Sequence, residues 1–154
     1  GLVQWVDDAV IDRFLDEVAA QSVKPEDARA TRKLRIVYTP LNGTGLECVT
    51  RILKRVGLDD LSVVDEQRHP DGNFTTCPYP NPEDRAALEL GLELCERVRP
   101  DILLATDPDA DRVGIAVLHD GEYVLLTGNE VGVLLIDYIA KRRPPITVSS
   151  SGAC

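Results

Sequence analysis

The 154-residue sequence contains no methionine, one tryptophan and two phenylalanines. It begins at a glycine and ends on Thr147–Cys154, which runs from an apparent strand straight to the terminus; it reads as an excerpt of a longer polypeptide. Positive charge is in short supply, with 17 Lys and Arg against 26 Asp and Glu, a formal net charge of −9. That argues against nucleic acid as a partner, because binding phosphate backbones needs a basic face. An acidic chain that handles phosphate must instead bring local positive charge, from an arginine or a bound metal. No apolar run approaches the length of a membrane span. The first residues have neither a basic n-region nor an apolar h-region, so no signal peptide is expected. The four cysteines, Cys48, Cys77, Cys95 and Cys154, form no C-x-x-C pair. They read as unpaired thiols in a reducing cytoplasm rather than as a zinc site or disulfide framework.

What is present is patterned as alternating strands and helices, in an amount of apolar residue (44%) that suits one core. Gln4 to Ala20 reads as an amphipathic helix, with Val6, Val10, Phe14 and Val18 at i+4 spacing, Ile11 and Leu15 alongside, acidic residues on the remaining face and Trp5 as a packing residue. Val23 to Lys33, broken by Pro25, reads as a connector. Leu34–Tyr38 is the first predicted strand; Asn42-Gly43-Thr44-Gly45 then turns into a helix with Leu46, Val49, Leu53 and Val56 inward. Such a turn can cradle phosphate on exposed N–H groups, but it lacks G-K-[ST] and so is not a P-loop. The other reading is a tight turn using glycine for positive φ. Leu61–Val64 is a second strand, and Glu66–Pro80 is long for a loop, the kind that is functional or packs on a neighbour. His69 lies in it and reads as a surface residue. Asn81-Pro82-Glu83-Asp84 predicts a helix start, with Ala87, Leu90, Leu94 and Val98 as its core face and Leu88, Gly91 and Cys95 beside it. Val113–Leu118, a turn at Asp120-Gly121 and Tyr123–Leu126 form a hairpin. Thr127-x-x-Glu130 is a capping box opening a helix through Val131, Leu134, Leu135 and Tyr138, closed by Lys141-Arg142-Arg143 and stopped by Pro144-Pro145. Ile146-Thr147-Val148 reads as the start of a further strand or domain. The pattern predicts an α/β fold: a three-layer α/β/α sandwich around a mixed, mostly parallel sheet. The predicted division is an N-terminal helix and connector over 1–33, an α/β/α body over 34–143, and a link over 144–154.

The stretch with the most chemistry is Asp101-Ile-Leu-Leu-Ala-Thr-Asp-Pro-Asp-Ala-Asp-Arg112. An apolar strand ends abruptly in a loop with Asp107, Asp109 and Asp111 at alternate positions, followed by Arg112. Pro108 stops regular pairing there. Two unit charges 4 Å apart repel by about 1 kcal/mol in water and about 4 kcal/mol near a protein surface. A hard cation removes that repulsion, and oxygen ligands from a few carboxylates are what Mg²⁺ accepts while keeping positions for water or phosphate. Placement at a strand's carboxyl end, where open α/β sheets bind ligands, favours this reading over a solvated turn. An EF-hand counted from Asp107 is excluded, since Arg112 and Leu118 stand where Gly and Glu are needed. A haloacid-dehalogenase-type loop would carry Thr or Val at Asp111, and a glycosyltransferase D-x-D is too short a string to argue from.

The loop resembles the metal loop of the α-D-phosphohexomutases, the phosphoglucomutase and phosphomannomutase family. Tyr38-Thr39-Pro40-Leu41-Asn42-Gly43-Thr44-Gly45 resembles that family's T-P-x-H-G-x-G turn, with Asn42 where the family often has His. Glu66-Gln67, Pro70-Asp71-Gly72-Asn73-Phe74 and Tyr79-Pro80-Asn81-Pro82-Glu83 resemble its middle segment, and Thr127-Gly128-Asn129-Glu130 its G-[DN]-E helix start. The motifs span Leu34 to Ala140 in the family's order.

The resemblance implies the second, metal-binding domain of an enzyme that moves a phosphoryl group between the 1- and 6-positions of a hexose. It implies a phosphoserine and a bisphosphate intermediate. Carried over by position, Asp107, Asp109 and Asp111 would ligate Mg²⁺ together with the phosphoserine, and Arg112 would meet the phosphoserine or the sugar phosphate, a catalytic and substrate-binding role. The partners implied are a hexose phosphate and the other domains of the parent chain. No Ser here is followed by His-Asn-Pro, so the catalytic serine lies outside this sequence, and the chain alone is expected to be inactive. Two other readings stay open: a self-contained metal-dependent phosphatase with Asp107 as nucleophile, and a non-catalytic assembly domain.

Overall fold

Residues 1–23 and 33–142 are described here from a computed structural model. Most of the connector expected over 23–33, with the end of the last helix, its Pro144-Pro145 stop, the strand at Ile146–Val148 and Cys154, lies outside the described residues. The elements run α1 (Asp8–Ala20), β1 (Ile36–Thr39), α2 (Leu46–Arg55), β2 (Leu61–Val63), a 3-10 turn (Asp65–Gln67), α3 (Glu89–Val98), β3 (Ile102–Thr106), β4 (Val113–His119), β5 (Glu122–Leu126) and α4 (Gly128–Arg142). The strands form one mixed sheet in the order β2-β1-β3-β4-β5. β1 pairs in parallel with β2 and β3, whereas β3–β4 and β4–β5 are antiparallel. Among the described strands, β4 alone runs against the rest. From β1 the chain passes through α2 to β2 on one side, then through α3 to β3 on the other. Right-handed crossovers therefore place α2 and α3 on opposite faces of the sheet, the expected three layers.

The core is aliphatic: Val37, Val64, Leu88, Cys95, Leu103, Ala105 and Ala116, closed by Tyr123. Burial pushes the Cys95 thiol up to about 12, so it behaves as a small apolar side chain. Cys48, Cys77 and Cys95 are unpaired. The β4–β5 turn has positive φ at both Asp120 and Gly121, as a two-residue hairpin requires. The capping box forms as expected: the Thr127 N–H donates to Glu130 Oε2 at 2.8 Å and the Glu130 N–H to Thr127 Oγ1 at 3.3 Å.

Three helical expectations need correction. α1 begins at Asp8, with Asp7 capping it through the Val10 N–H, and Trp5 before it is fully exposed rather than packed. Its i+4 stripe of Val6, Val10, Phe14 and Val18 faces outward, and Leu15 is the side chain it buries. The acidic face docks instead: Asp8 and Asp12 meet Arg51, and Asp12 and Asp16 meet Arg55, at 2.7–3.3 Å. Singly such exposed pairs contribute about 0–1 kcal/mol, but here several share partners. α3 starts eight residues after Asn81, because 81–88 forms successive turns. Asn81 Oδ1 accepts from the Glu83 N–H as a local cap would, but the Pro82 carbonyl is seated on Gly114 and Glu83 bonds the Gly128 N–H at 2.9 Å. These tertiary contacts override the local signal. The face that α3 buries centres on Gly91 and Cys95, with Leu88 before it, the residues expected beside the core face; Leu90 and Leu94 pack on the core part-buried, and Val98 is exposed. On α4 Val131 is buried, but Leu134 and Leu135, expected inward, are more than half exposed.

The seat of Pro82 on Gly114 leaves no room for a side chain, since a Cβ there would overlap the Pro82 carbonyl. Gly114→Ala should cost about 1–3 kcal/mol or more. Gly72→Ala, where a Cβ meets nothing within 4 Å, should be near neutral. Urea denaturation of both variants checks this, and equal midpoints would contradict the packing.

Candidate metal centre

Because the strand order reverses around β1, the crevice between the carboxyl ends of β1 and β3 is the switch point where α/β sheets of this order bind ligands. Two loops meet there, Pro40–Gly45 after β1 and Asp107–Arg112 after β3. Beneath them the Tyr38 hydroxyl and Thr106 Oγ1 are hydrogen-bonded at 2.8 Å in the interior. Burial raises the Tyr38 phenol to about 12, so the pair is neutral. Thr39 Oγ1 donates to Gln67 Oε1 at 2.7 Å, tying the end of β1 to the turn after β2.

The first loop is a tight turn rather than a phosphate cradle. The N–H groups of Leu41, Asn42, Gly43 and Thr44 donate respectively to Thr39 Oγ1 and to the carbonyls of Gln67, Pro40 and Pro108. Its positive φ values, however, fall on Leu41 (47°) and Asn42 (59°), not on the glycines. Gly43 and Gly45 answer a different need, close approach: a Cβ on Gly43 would overlap Pro108, and one on Gly45 would lie 2.6 Å from the Tyr38 hydroxyl. The Asn42 amide anchors the following loop, donating to the His69 carbonyl at 2.9 Å and accepting from Thr76 Oγ1 at 2.7 Å. His69 is exposed and contributes that carbonyl.

In the second loop Asp107 is almost fully buried, its side chain 2% exposed, beside an Arg112 side chain that is 57% exposed. Its Oδ1 accepts from the Arg112 N–H at 3.0 Å and its Oδ2 from Arg112 Nε at 2.8 Å. Burial pushes the Asp107 carboxyl up, but hydrogen bonds from the Arg112 N–H and guanidinium, together with those shared with Asp111 and Asp109, hold it below the ordinary range. The Ala110 N–H closes the turn onto the Asp107 carbonyl at 3.0 Å, with Ala110 in the left-handed region at φ 60°. Asp109 and Asp111 are exposed, and one carboxylate oxygen from each of the three aspartates lies within 4.8 Å of the others. The Asp111 carboxyl is pushed up by its contact with Asp107 and by the charges of Asp109 and Asp107. The four site residues picked out in the sequence are thus brought together.

Three more were not picked out as site residues. Tyr79, Pro80 and Asn81 line an open groove of about 520 Å³ with Asp107, Pro108, Asp109 and Arg112. The signals for them were the length of the Glu66–Pro80 segment and the family-like Tyr79-Pro80-Asn81 string, neither of which named the loop they would meet. A larger hollow of about 730 Å³ lies elsewhere, along α3 and the β4–β5 turn. It is walled by Glu89, Glu93, Glu96 and Glu122, which α3 and β5 expose to solvent, and it shares no residue with the two switch-point loops.

Without metal, Asp107 and Asp111 should differ in their effect on stability. Asp107→Asn replaces a buried charge-assisted pair and should cost about 1–3 kcal/mol. The raised Asp111 carboxyl means its charged form is disfavoured in the fold, so Asp111→Asn at pH 7 should be neutral or stabilising. Urea denaturation in EDTA tests both, and a larger loss at Asp111 than at Asp107 would contradict the geometry.

The profile of the phosphoglucomutase/phosphomannomutase α/β/α domain II matches residues 12–121. A phosphoribomutase of Saccharomyces cerevisiae is 37% identical over 146 residues, covering 90% of this chain and 24% of that protein. A phosphoglucomutase of Staphylococcus aureus strain N315 is 40% identical over 106 residues, covering 68% of this chain and 19% of the relative. A crystal structure of a phosphoglucomutase/phosphomannomutase family protein from Burkholderia thailandensis superposes with a TM-score of 0.68 at 23% identity, over 88% of this chain and 27% of the other. The chain therefore spans about a quarter of the length of such relatives. It belongs to the phosphoglucomutase/phosphomannomutase family, as that family's second, α/β/α domain.

Proposed function

We propose that this chain is the Mg²⁺-holding domain of a longer cytoplasmic phosphohexomutase, which interconverts hexose 1-phosphate and hexose 6-phosphate through a phosphoserine and a bisphosphate intermediate. The observation that carries the proposal is the convergence of three carboxylate oxygens within 4.8 Å at the β1/β3 switch point. The donor set fits a hard divalent cation: all ligands are oxygen, and three leave positions for water or phosphate. Asp107 remains competent because each of its oxygens accepts one N–H and keeps further lone-pair capacity. When bound, such a cation supplies charge neutralisation on phosphoryl oxygens.

The chain's own residues hold the parts in place. Asp107 is the fixed ligand, and Asp109 and Asp111 are the exposed pair whose repulsion a cation relieves. Arg112 is anchored through Nε, and the four other donors of its guanidinium suit a phosphate in the same groove. Relatives named for ribose and for glucose share this domain at similar identity. That supports a domain concerned with the phosphoryl group common to those substrates, with the sugar read elsewhere in the parent chain. The catalytic serine is also elsewhere, so the chain alone is inactive. The body is residues 34–143 with α1 docked on α2, 1–33 holding that helix and its connector, and 144–154 leading onward. The exposed apolar faces of α1 and α4 suit contact with neighbouring domains. No described helix is long and apolar enough to cross a membrane. Use of Asp107 as a nucleophile is disfavoured, since its side chain is 2% exposed and both oxygens are engaged by Arg112.

Titration of Mg²⁺ or Mn²⁺ into the chain should give weak, saturable amide shifts centred on Thr106 to Val113. The triple substitution of Asp107, Asp109 and Asp111→Asn should abolish them. The chain alone should turn over no hexose 1-phosphate, and beryllium fluoride should not be trapped on Asp107. Flat spectra at high metal would defeat the metal assignment, and trapping at Asp107 would favour the phosphatase.

A further inference from the structure

The peptide between the first two carboxylates of the loop is held from outside the loop. The Pro108 carbonyl accepts two hydrogen bonds from a single residue, from the Thr44 N–H at 2.8 Å and from Thr44 Oγ1 at 3.0 Å. On either side of Thr44 the chain is pressed against the same region. Gly43 abuts the Pro108 backbone, and Gly45 lies against the Tyr38 and Thr106 hydroxyls, with its Cβ position 3.5 Å from that of Ala110. The proline ring fixes φ of residue 108 near −65°. Fixing the direction of its carbonyl fixes ψ as well, because that carbonyl defines the plane of the next peptide. Both soft dihedrals of Pro108, the residue between Asp107 and Asp109, are then set, one by covalent chemistry and the other by Thr44.

We propose that Thr44 is a positioning residue for the metal centre, holding the Pro108 peptide so that the Asp109 carboxylate is kept within reach of the one on Asp107. The proposal rests on the assignment of the loop as a divalent-cation site. Its action on the loop runs through the Pro108 backbone, which its N–H and its hydroxyl both meet. In Thr44→Val the shape and the N–H donor remain and only the hydroxyl donor is lost, while Thr44→Ser keeps the hydroxyl.

Mn²⁺ affinity of the chain, read from the electron paramagnetic resonance of free Mn²⁺, should fall about tenfold in Thr44→Val, the size of effect seen when a group that orients ligands is removed. It should return close to the parent value in Thr44→Ser. The urea midpoint in EDTA should be the same in all three, and the Ala110 amide should exchange faster in Thr44→Val. Parent-like affinity in Thr44→Val, or a loss that follows the urea midpoint and is not recovered by Ser, overturns the positioning role while leaving the cation site intact. If the unsubstituted chain takes up no Mn²⁺, the cation site falls and the positioning role with it.

Discussion

Three carboxylates cannot be crowded onto one short turn without something that tolerates their repulsion, and the Asp107–Arg112 pair is what makes the turn tenable. Asp107 is buried at the end of β3, where an unpaired carboxylate would cost several kcal/mol. Arg112 meets it with both a backbone N–H and a guanidinium N–H, closing a six-residue loop on its own first residue. That leaves Asp109 and Asp111 outside, where solvent screens them. The turn therefore pairs the charge of its buried carboxylate in a fixed place and leaves the repulsion between carboxylates chiefly to the two exposed ones.

Sheet topology decides where this turn sits. The reversal of strand order around β1 opens a crevice between β1 and β3, and the turn after β1 fills its floor with glycines that allow backbone to lie on backbone. The Tyr38–Thr106 hydroxyl pair below keeps that floor neutral. Among the described residues lining the groove, positive charge comes from Arg112.

The acidic loop, its strand and the four residues of the site were legible in the sequence because they are contiguous: spacing in the chain becomes spacing in space. The hairpin at Asp120-Gly121 and the capping box at Thr127 were legible for the same reason. What was not legible depends on distant contacts. The helix start at Asn81 was displaced because Pro82 needs its seat on Gly114, a residue over thirty positions away. The apolar stripe of α1 pointed outward because Arg51 and Arg55 of α2 hold its acidic face. The glycines of the first turn were recognisable, but the reason for them was not, since the positive φ values belong to Leu41 and Asn42. Tyr79 to Asn81 join the groove only because the segment that carries them crosses the sheet to β4. Local chemistry can be read along a chain, whereas the walls of a groove are assembled by topology.

The most direct test of the central claim is an anomalous difference map from crystals of this chain soaked in Mn²⁺. A single peak bridged by the carboxylates of Asp107, Asp109 and Asp111, and missing in the Asp109→Asn, Asp111→Asn double variant, is the predicted result. A map with no peak there, or with its strongest peak among Glu89, Glu93 and Glu96, would contradict the assignment of the loop after β3 as the metal centre.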